Sequence, residues 1–168
     1  MSTPTHLDVD FTNGPLLVED GPALICRVRS LCCALRVSHV VETMRPQPVE
    51  PLTAAPGFVM GVAVIRGVAV PVVDVGALLG SSEPARPTRF ITLAIGKRSV
   101  ALAVEGIIGA RVLAHDALEE LPPLLRDASL DAVERIGTLD ASLLVVLRTA
   151  RIVTDAVFGA LTQDRSAR

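Results

Sequence analysis

Few side chains in this sequence could bind a metal or act as a nucleophile: three cysteines (Cys26, Cys32, Cys33) and three histidines (His6, His39, His115). Cys32 and Cys33 are adjacent in a stretch that reads as a strand, so their side chains point to opposite faces. They cannot readily share one metal, and no second ligand pair stands at zinc-site spacing. Cys26 and His39 meet only if a hairpin brings them together, which leaves small buried thiols as the plainer reading. No Gly-x-Ser-x-Gly elbow, zinc-protease motif or Gly-Lys-Ser/Thr phosphate loop is present. The acids Glu19, Asp20, Glu42, Asp74, Glu105, Glu119, Glu120 and Asp140 are scattered, and most read as solvated charges. No nucleophile–base pair, metal centre or nucleotide site emerges. The expectation is a protein without catalytic, cofactor-binding or metal residues, and not an enzyme.

The elements around these residues are short apolar runs of strand length at 24–29, 32–37, 39–44, 58–65 and 68–73, with four prolines between 46 and 56. Arg66-Gly67 between two β-branched runs reads as a tight connection or bulge, with Gly67 free to take positive φ. Pro71 cannot donate a ladder hydrogen bond, which places its strand at an edge or a bulge. Asp74 before Val75-Gly76-Ala77-Leu78-Leu79 is a good N-cap for one helical turn ending at Gly80. Residues 81–87 are polar with two prolines and form the best internal linker. Further strands are expected at 89–95, 99–104, 107–113, 133–139 and 142–147. Glu119 and Glu120 read as ordinary loop charges before a longer loop through Ser129. Apolar spacing over 150–161 predicts one face of a terminal helix. An acid following an apolar run recurs: Val70 to Asp74, then Gly76, is echoed by Val100 to Glu105, then Gly106. Short strands at close spacing with Gly/Pro turns point to small β-barrels.

Composition narrows the function classes. Half of the 168 residues are hydrophobic, enough for a sizeable core, and the formal net charge of -2 gives no reason to expect nucleic acid or an anionic membrane as partner. With four Phe and no Trp or Tyr, base-stacking platforms and sugar clefts lose ground. The first 18 residues lack a basic segment followed by an apolar one, so no signal peptide is expected, and no apolar run approaches membrane-helix length. Three cysteines in such a chain suggest free thiols in a reducing cytoplasm.

The segment from Gly61 to Val75 (Gly-Val-Ala-Val-Ile-Arg-Gly-Val-Ala-Val-Pro-Val-Val-Asp-Val) closely resembles the signature of CheW-like coupling domains, Gly-x-x-Asn-Leu-Arg-Gly-x-x-x-Pro-x-x-Asp-Leu. Gly61, Arg66, Gly67, Pro71 and Asp74 match in order and spacing. The flanks at 35–45, 52–61, 100–105 and 136–147 resemble the family's other segments, so the likeness covers roughly residues 24–160. Val64 stands in place of the Asn, Ile65 in place of the Leu, Arg36 where Pro is common, and Arg148 where an acid often closes the last strand. The chain thus resembles a divergent member.

That resemblance implies a mainly β fold of two interlocked SH3-like five-stranded barrels with a short C-terminal helix. It implies an N-terminal extension at 1–22, partly disordered, and a CheW-like domain at 23–160 with approximate sub-barrels 23–82 and 88–160. A C-terminal tail at 161–168 would follow. It further implies a stand-alone, non-catalytic cytoplasmic adaptor, recruited to receptor arrays. Its expected partners are the regulatory domain of a CheA-type histidine kinase and the cytoplasmic tip of a chemoreceptor, with no nucleic acid, no membrane insertion and no ATP binding. An SH3-like interaction module in another regulatory complex is the alternative. Arg66 is the expected key interface residue, because a charge interrupting an apolar run must reach solvent or a partner; alone it would read as a surface turn arginine. Glu42 and Val64 are the supporting interface candidates. Gly61, Gly67, Pro71 and Asp74 are expected to shape the motif rather than touch a partner.

Overall fold

The apolar runs, with one short acidic stretch, become eleven short strands in two sheets, as seen in a computed structural model that describes residues 21–120, 132–152, 158 and 159. The strands are β1 (Ala23–Val28), β2 (Leu31–Arg36), β3 (Val40–Met44), β4 (Val59–Ile65), β5 (Val68–Asp74), β6 (Arg89–Ile95), β7 (Arg98–Val104), β8 (Gly106–Arg111), β9 (Leu118–Glu120), β10 (Val133–Leu139) and β11 (Ser142–Leu147). Helical turns are brief: α1 is Val75–Leu78 and α2 is Thr149–Ile152. One sheet has six strands in the order β8-β1-β2-β11-β10-β9; the other has five, in the order β3-β6-β7-β5-β4. Most pairings are antiparallel, but β11 runs parallel to β2 and β5 runs parallel to β7.

This is a mainly β fold of two interlocked small barrels. The chain does not fill one sheet and then the other. It starts the six-stranded sheet with β1 and β2, lays down all five strands of the second, and returns with β8 to β11. The polar segment 81–87 therefore lies within the second sheet's run of strands, between β5 and β6. The six-stranded sheet holds one strand more than the expected five, because β9 forms where Glu119 and Glu120 had read as loop. The expected helix at 150–161 is seen as α2 over its first residues; residues 153–157 and 160–161 lie outside the described ones, as do the tails at 1–20 and 161–168.

Strand period two explains why the runs are apolar throughout. On β1, Ala23 and Ile25 face the interior of the six-stranded barrel with Cys32, Ala34 and Leu144. The alternate residues Leu24, Cys26 and Val28 face a core shared between the barrels. On β7, Ala101 and Ala103 fill the five-stranded interior beside Phe90, Val70 and Val72. Val100, Leu102 and Val104 point into the shared core, which they enter with Ile91 and Leu93. Both faces of the central strands are buried, so the polar half of the alternation vanishes. Alanines suit the narrow barrel interiors, and a single Phe ring can occupy the second one.

Cys32 and Cys33 point to opposite faces, into the six-stranded interior and the shared core respectively. Cys33 lies across from Cys26, whose thiol donates to the Cys33 carbonyl at 3.5 Å. Its hydrogen bond with the Cys26 thiol, together with burial, pushes the Cys33 thiol up, away from the reactive thiolate form. All three cysteines are free and buried. His39 does not join them: its Nδ1 lies 2.8 Å from Thr149 Oγ1.

Pro71 finds a structural role that differs in detail from expectation. Pro71 is not on an edge strand, since β5 lies between β7 and β4. It sits opposite Val62, whose N–H and C=O bond to Glu50 on the far side, so the proline nitrogen faces away from β4. Parallel pairing with β7 begins only at Val72, one residue later, so no ladder bond is lost. The bulge is in β4, between Val59 and Gly61. Gly61 has φ +145, and a Cβ there would land on the Glu50 main-chain oxygen and approach Val49 Cγ1 to 2.9 Å. Backbone cannot yield as a side-chain tip can. Gly61→Ala is expected to destabilise the fold by about 3 kcal/mol or more, from forbidden φ plus displaced backbone. Urea denaturation would measure it, and a loss below about 1 kcal/mol would show that the bulge relaxes freely.

Candidate protein-interaction face

The turn between β4 and β5 spans only Arg66 and Gly67, closed by the Ile65–Val68 pair. Both residues have positive φ, 51° and 77°, as the type I′ turn favoured by twisted hairpins requires. Gly67 adopts this freely; Arg66 is held there by the hairpin. The Arg66 side chain then leaves the tip and meets Glu42 on β3. Nε donates to Oε1 and Nη2 to Oε2, each at 2.7 Å. This is the two-pronged geometry that a guanidinium fork favours.

β3 and β4 are opposite edges of the five-stranded sheet, so this pair fastens the sheet's ends across the mouth of the barrel. A register shift between Val40 and Glu42 aims the acid: Val41 is the extra residue of a β-bulge, and bulges turn side chains. Thr92 Oγ1 adds a 3.3 Å bond to the Glu42 carbonyl. Arg66 remains 76% exposed while Glu42 is only 24% exposed, so solvent meets mostly the arginine.

Hydrogen bonding from Arg66, helped by its charge, holds the Glu42 carboxyl below the usual carboxylate range, against the upward push of desolvation. A carboxyl lowered in the folded state adds stability above its unfolded pKa and loses it as pH falls through the lowered value. The pair is therefore formed at neutral pH and opens only in acid below the ordinary glutamate range. A carboxyl-carbon NMR titration of Glu42 is expected to give a midpoint below that range, moving upward in Arg66→Met. An ordinary midpoint in the unmodified protein would mean that the pair does not persist in solution.

Exposed valines lie close to the pair along the chain. Among the described residues, the large exposed hydrophobics are Val41, Val64, Val68, Ile108 and Leu143. Val64 (68% exposed) lies two residues before Arg66, Val68 (59%) two after it, and Val41 (60%) directly before Glu42. The hairpin tip thus presents a positive charge, positioned by a bidentate acid, near exposed valines. Both oxygens of the one carboxylate there, Glu42, are engaged by the Arg66 guanidinium. Among the described residues no group of His, Cys, Asp and Glu could hold a metal ion, and no described helix is long and apolar enough to cross a membrane.

Of the sequence candidates, Arg66 and Glu42 are brought together; Val64, paired with Ala69, projects from the opposite side of the hairpin to Val68, which pairs with Ile65. Asp74 lies at the far end of β5 and caps α1, its Oδ1 accepting from Gly76 N at 3.0 Å and Ala77 N at 3.3 Å. Its other oxygen, Oδ2, accepts from Arg29 Nη2 at 3.0 Å. Neither Arg29 nor its second acid, Glu105, stood out in the sequence as a partner for Asp74. The echo of the Val70–Asp74 segment at 100–105 was the available signal. β5 and β7 are parallel neighbours, with Asp74 beside Ala103, so the two echoed acids end on one side of the molecule.

Comparison with known proteins agrees with this architecture. A family model described as CheW-like domain matches residues 22–157. Chemotaxis protein CheW from Rhizobium meliloti (strain 1021) is 29% identical over 114 residues, covering 66% of this chain and 74% of that protein. The crystal structure of the scaffolding protein TtCheW from Thermoanaerobacter tengcongensis superposes with a TM-score of 0.66 at 18% identity. That match covers 77% of this chain and 89% of the other, and it shows a shared fold. With most of its length matched by the family model, this chain belongs to the CheW-like domain family.

Proposed function

We propose that this chain is the adaptor joining the cytoplasmic tip of a chemoreceptor to the regulatory domain of a CheA-type histidine kinase. As a CheW-like protein it is a non-catalytic scaffold of chemotaxis signalling; the pairing with kinase and receptor is the finer reading. The observation that supports it is the hairpin tip. A guanidinium 76% exposed yet oriented by Glu42, with exposed Val64 and Val68 on the two sides of its hairpin and exposed Val41 next to Glu42 in the chain, is a preorganised charge near apolar groups. Exposed aliphatic groups around an arginine anchor are typical of surfaces that become the centre of an interface. A helical receptor tip or a second small barrel can bury the valines and offer an acid or carbonyl to the guanidinium. Gly61, Gly67 and Pro71 act by shaping the hairpin, and Asp74 by capping α1. The adaptor works in the cytoplasm and is recruited to receptor arrays through these contacts.

Co-precipitation with purified components tests this. The tagged protein is expected to retain a CheA-type regulatory domain and, separately, a receptor-tip fragment. If it retained neither, the reading as a receptor–kinase adaptor would fail, and an interaction module in another complex would take its place.

A further inference from the structure

Arg29, away from the hairpin face, is a heavily engaged charged side chain that stands where the two sheets meet. It occupies the two-residue turn between β1 and β2 with φ 55, a left-handed conformation that costs a side-chain-bearing residue strain. Its side chain is only 10% exposed. Among the described residues, four hydrogen bonds hold it. The backbone N–H donates to Glu105 Oε2 at 2.8 Å and Nη1 to Glu105 Oε1 at 3.1 Å. Nη2 donates to Asp74 Oδ2 at 3.0 Å and to the Glu83 carbonyl at 2.9 Å. Among the described residues the buried Nε has no partner, so the guanidinium is set by the other contacts at some desolvation cost. Gly76 makes the room: a Cβ there would stand 2.5 Å from Arg29 Cζ.

Asp74, at the end of β5, and Glu83, in the loop before β6, come from the five-stranded side, and Glu105 is the residue that joins β7 of that sheet to β8 of the other, its N–H donating to the Arg27 carbonyl at 2.9 Å. Arg29 itself belongs to the six-stranded sheet. The large shared core also joins the sheets, but apolar packing is non-directional, whereas hydrogen bonds from a fixed fork to three separate segments specify an angle.

We propose that Arg29 is a positioning residue whose clasp on Asp74, Glu105 and the Glu83 carbonyl fixes the relative orientation of the two sheets. In the adaptor reading, on which this consequence rests, that orientation lets one molecule hold kinase and receptor together. The clasp lies at the opposite end of β5 from the Arg66 turn, roughly 20 Å away along the strand, so it touches no partner at that face.

The test uses the full chain with spin labels at Thr43→Cys and Glu119→Cys, one on each sheet, both exposed positions. Arg29→Met removes the clasp; Gly76→Ala keeps every charge but displaces the guanidinium. Both variants, folded by circular dichroism, are expected to shift and broaden the inter-label distance distribution. Binding of kinase domain alone is expected to stay unchanged, while assembly of the ternary complex weakens about ten-fold, as for a competent orientation populated about one time in ten. An unshifted, equally narrow distribution in the folded variants overturns the proposal, without reference to any partner. Should Arg29→Met not fold, Gly76→Ala and Glu105→Gln decide it by the same distances. A shifted distance with undiminished ternary assembly overturns the stated consequence.

Discussion

Arg66→Glu is expected to weaken binding of the protein's partner by about 100-fold or more while leaving the fold intact. The fold survives because Arg66 sits in a turn with its side chain 76% exposed, so no core contact is lost. Binding fails for two reasons. The guanidinium is the only positive group at the hairpin tip that Glu42 orients, and the substitution reverses its sign. It also sets a second carboxylate against Glu42, which the 2.7 Å pair had satisfied, so the two acids repel and splay the tip from β3. Titration calorimetry against the purified kinase domain and the receptor-tip fragment would measure the loss, with circular dichroism as the control for folding. Arg66→Lys should fall between, since a single ammonium keeps the charge but cannot form the two-pronged contact. The charge swap Glu42→Arg with Arg66→Glu restores a pair but presents the wrong sign to the partner, so it should re-form the tip without recovering affinity. Wild-type affinity in a folded Arg66→Glu protein would remove Arg66 from the interface.

Asp74→Ala should be the costliest of the substitutions at the signature's polar positions for the fold itself. The carboxylate ties two structures at once: Oδ1 caps the first turn of α1, and Oδ2 anchors Arg29. Losing the cap costs about 1 kcal/mol. Losing one partner of a nearly buried ion pair costs about 3 kcal/mol when another acid remains, at the low end for buried pairs; here Glu105 remains. The sum, about 4 kcal/mol, corresponds to a fall in melting temperature on the order of 10 °C for a chain of this size. Asp74→Asn separates the two parts, because its amide oxygen can still accept from Gly76 and Ala77 while the charge opposite Arg29 is gone. It should recover roughly the 1 kcal/mol of the cap. Equal losses in the two variants would mean that the ion pair carries the whole effect.

How legible all this was depended on how far along the chain the partners lie. The strands could be read from runs of Val, Leu, Ile and Ala, since burial on both faces makes the runs continuous. The tight turn at Gly67 and the Asp74 cap were also readable, because each needs only its immediate neighbours. β9 was not: three residues, two of them acidic, carry no strand pattern, and its pairing with β10 is what makes it one. Pro71 misled because an edge or a bulge in its own strand was inferred from one missing N–H, whereas the side on which that N–H is missing depends on the sheet order. Glu42 and Arg66 were each singled out, but their pairing across 24 residues needs the barrel to close. The Arg29 clasp spans 45 residues to Asp74 and 76 to Glu105, distances that local patterning around Arg29 does not encode. The parallel pairing of two similar segments was the one clue to it, and reading that clue requires knowing that β5 and β7 are neighbours.

The adaptor reading stands or falls on one molecule holding two partners at once. Sedimentation velocity of the purified protein with a CheA-type regulatory domain and a receptor-tip fragment measures this directly. A species containing all three, formed only when this protein is present and lost with Arg66→Glu, is the expected result. Kinase domain and receptor fragment sedimenting separately in the presence of the unmodified protein would mean that it does not couple them.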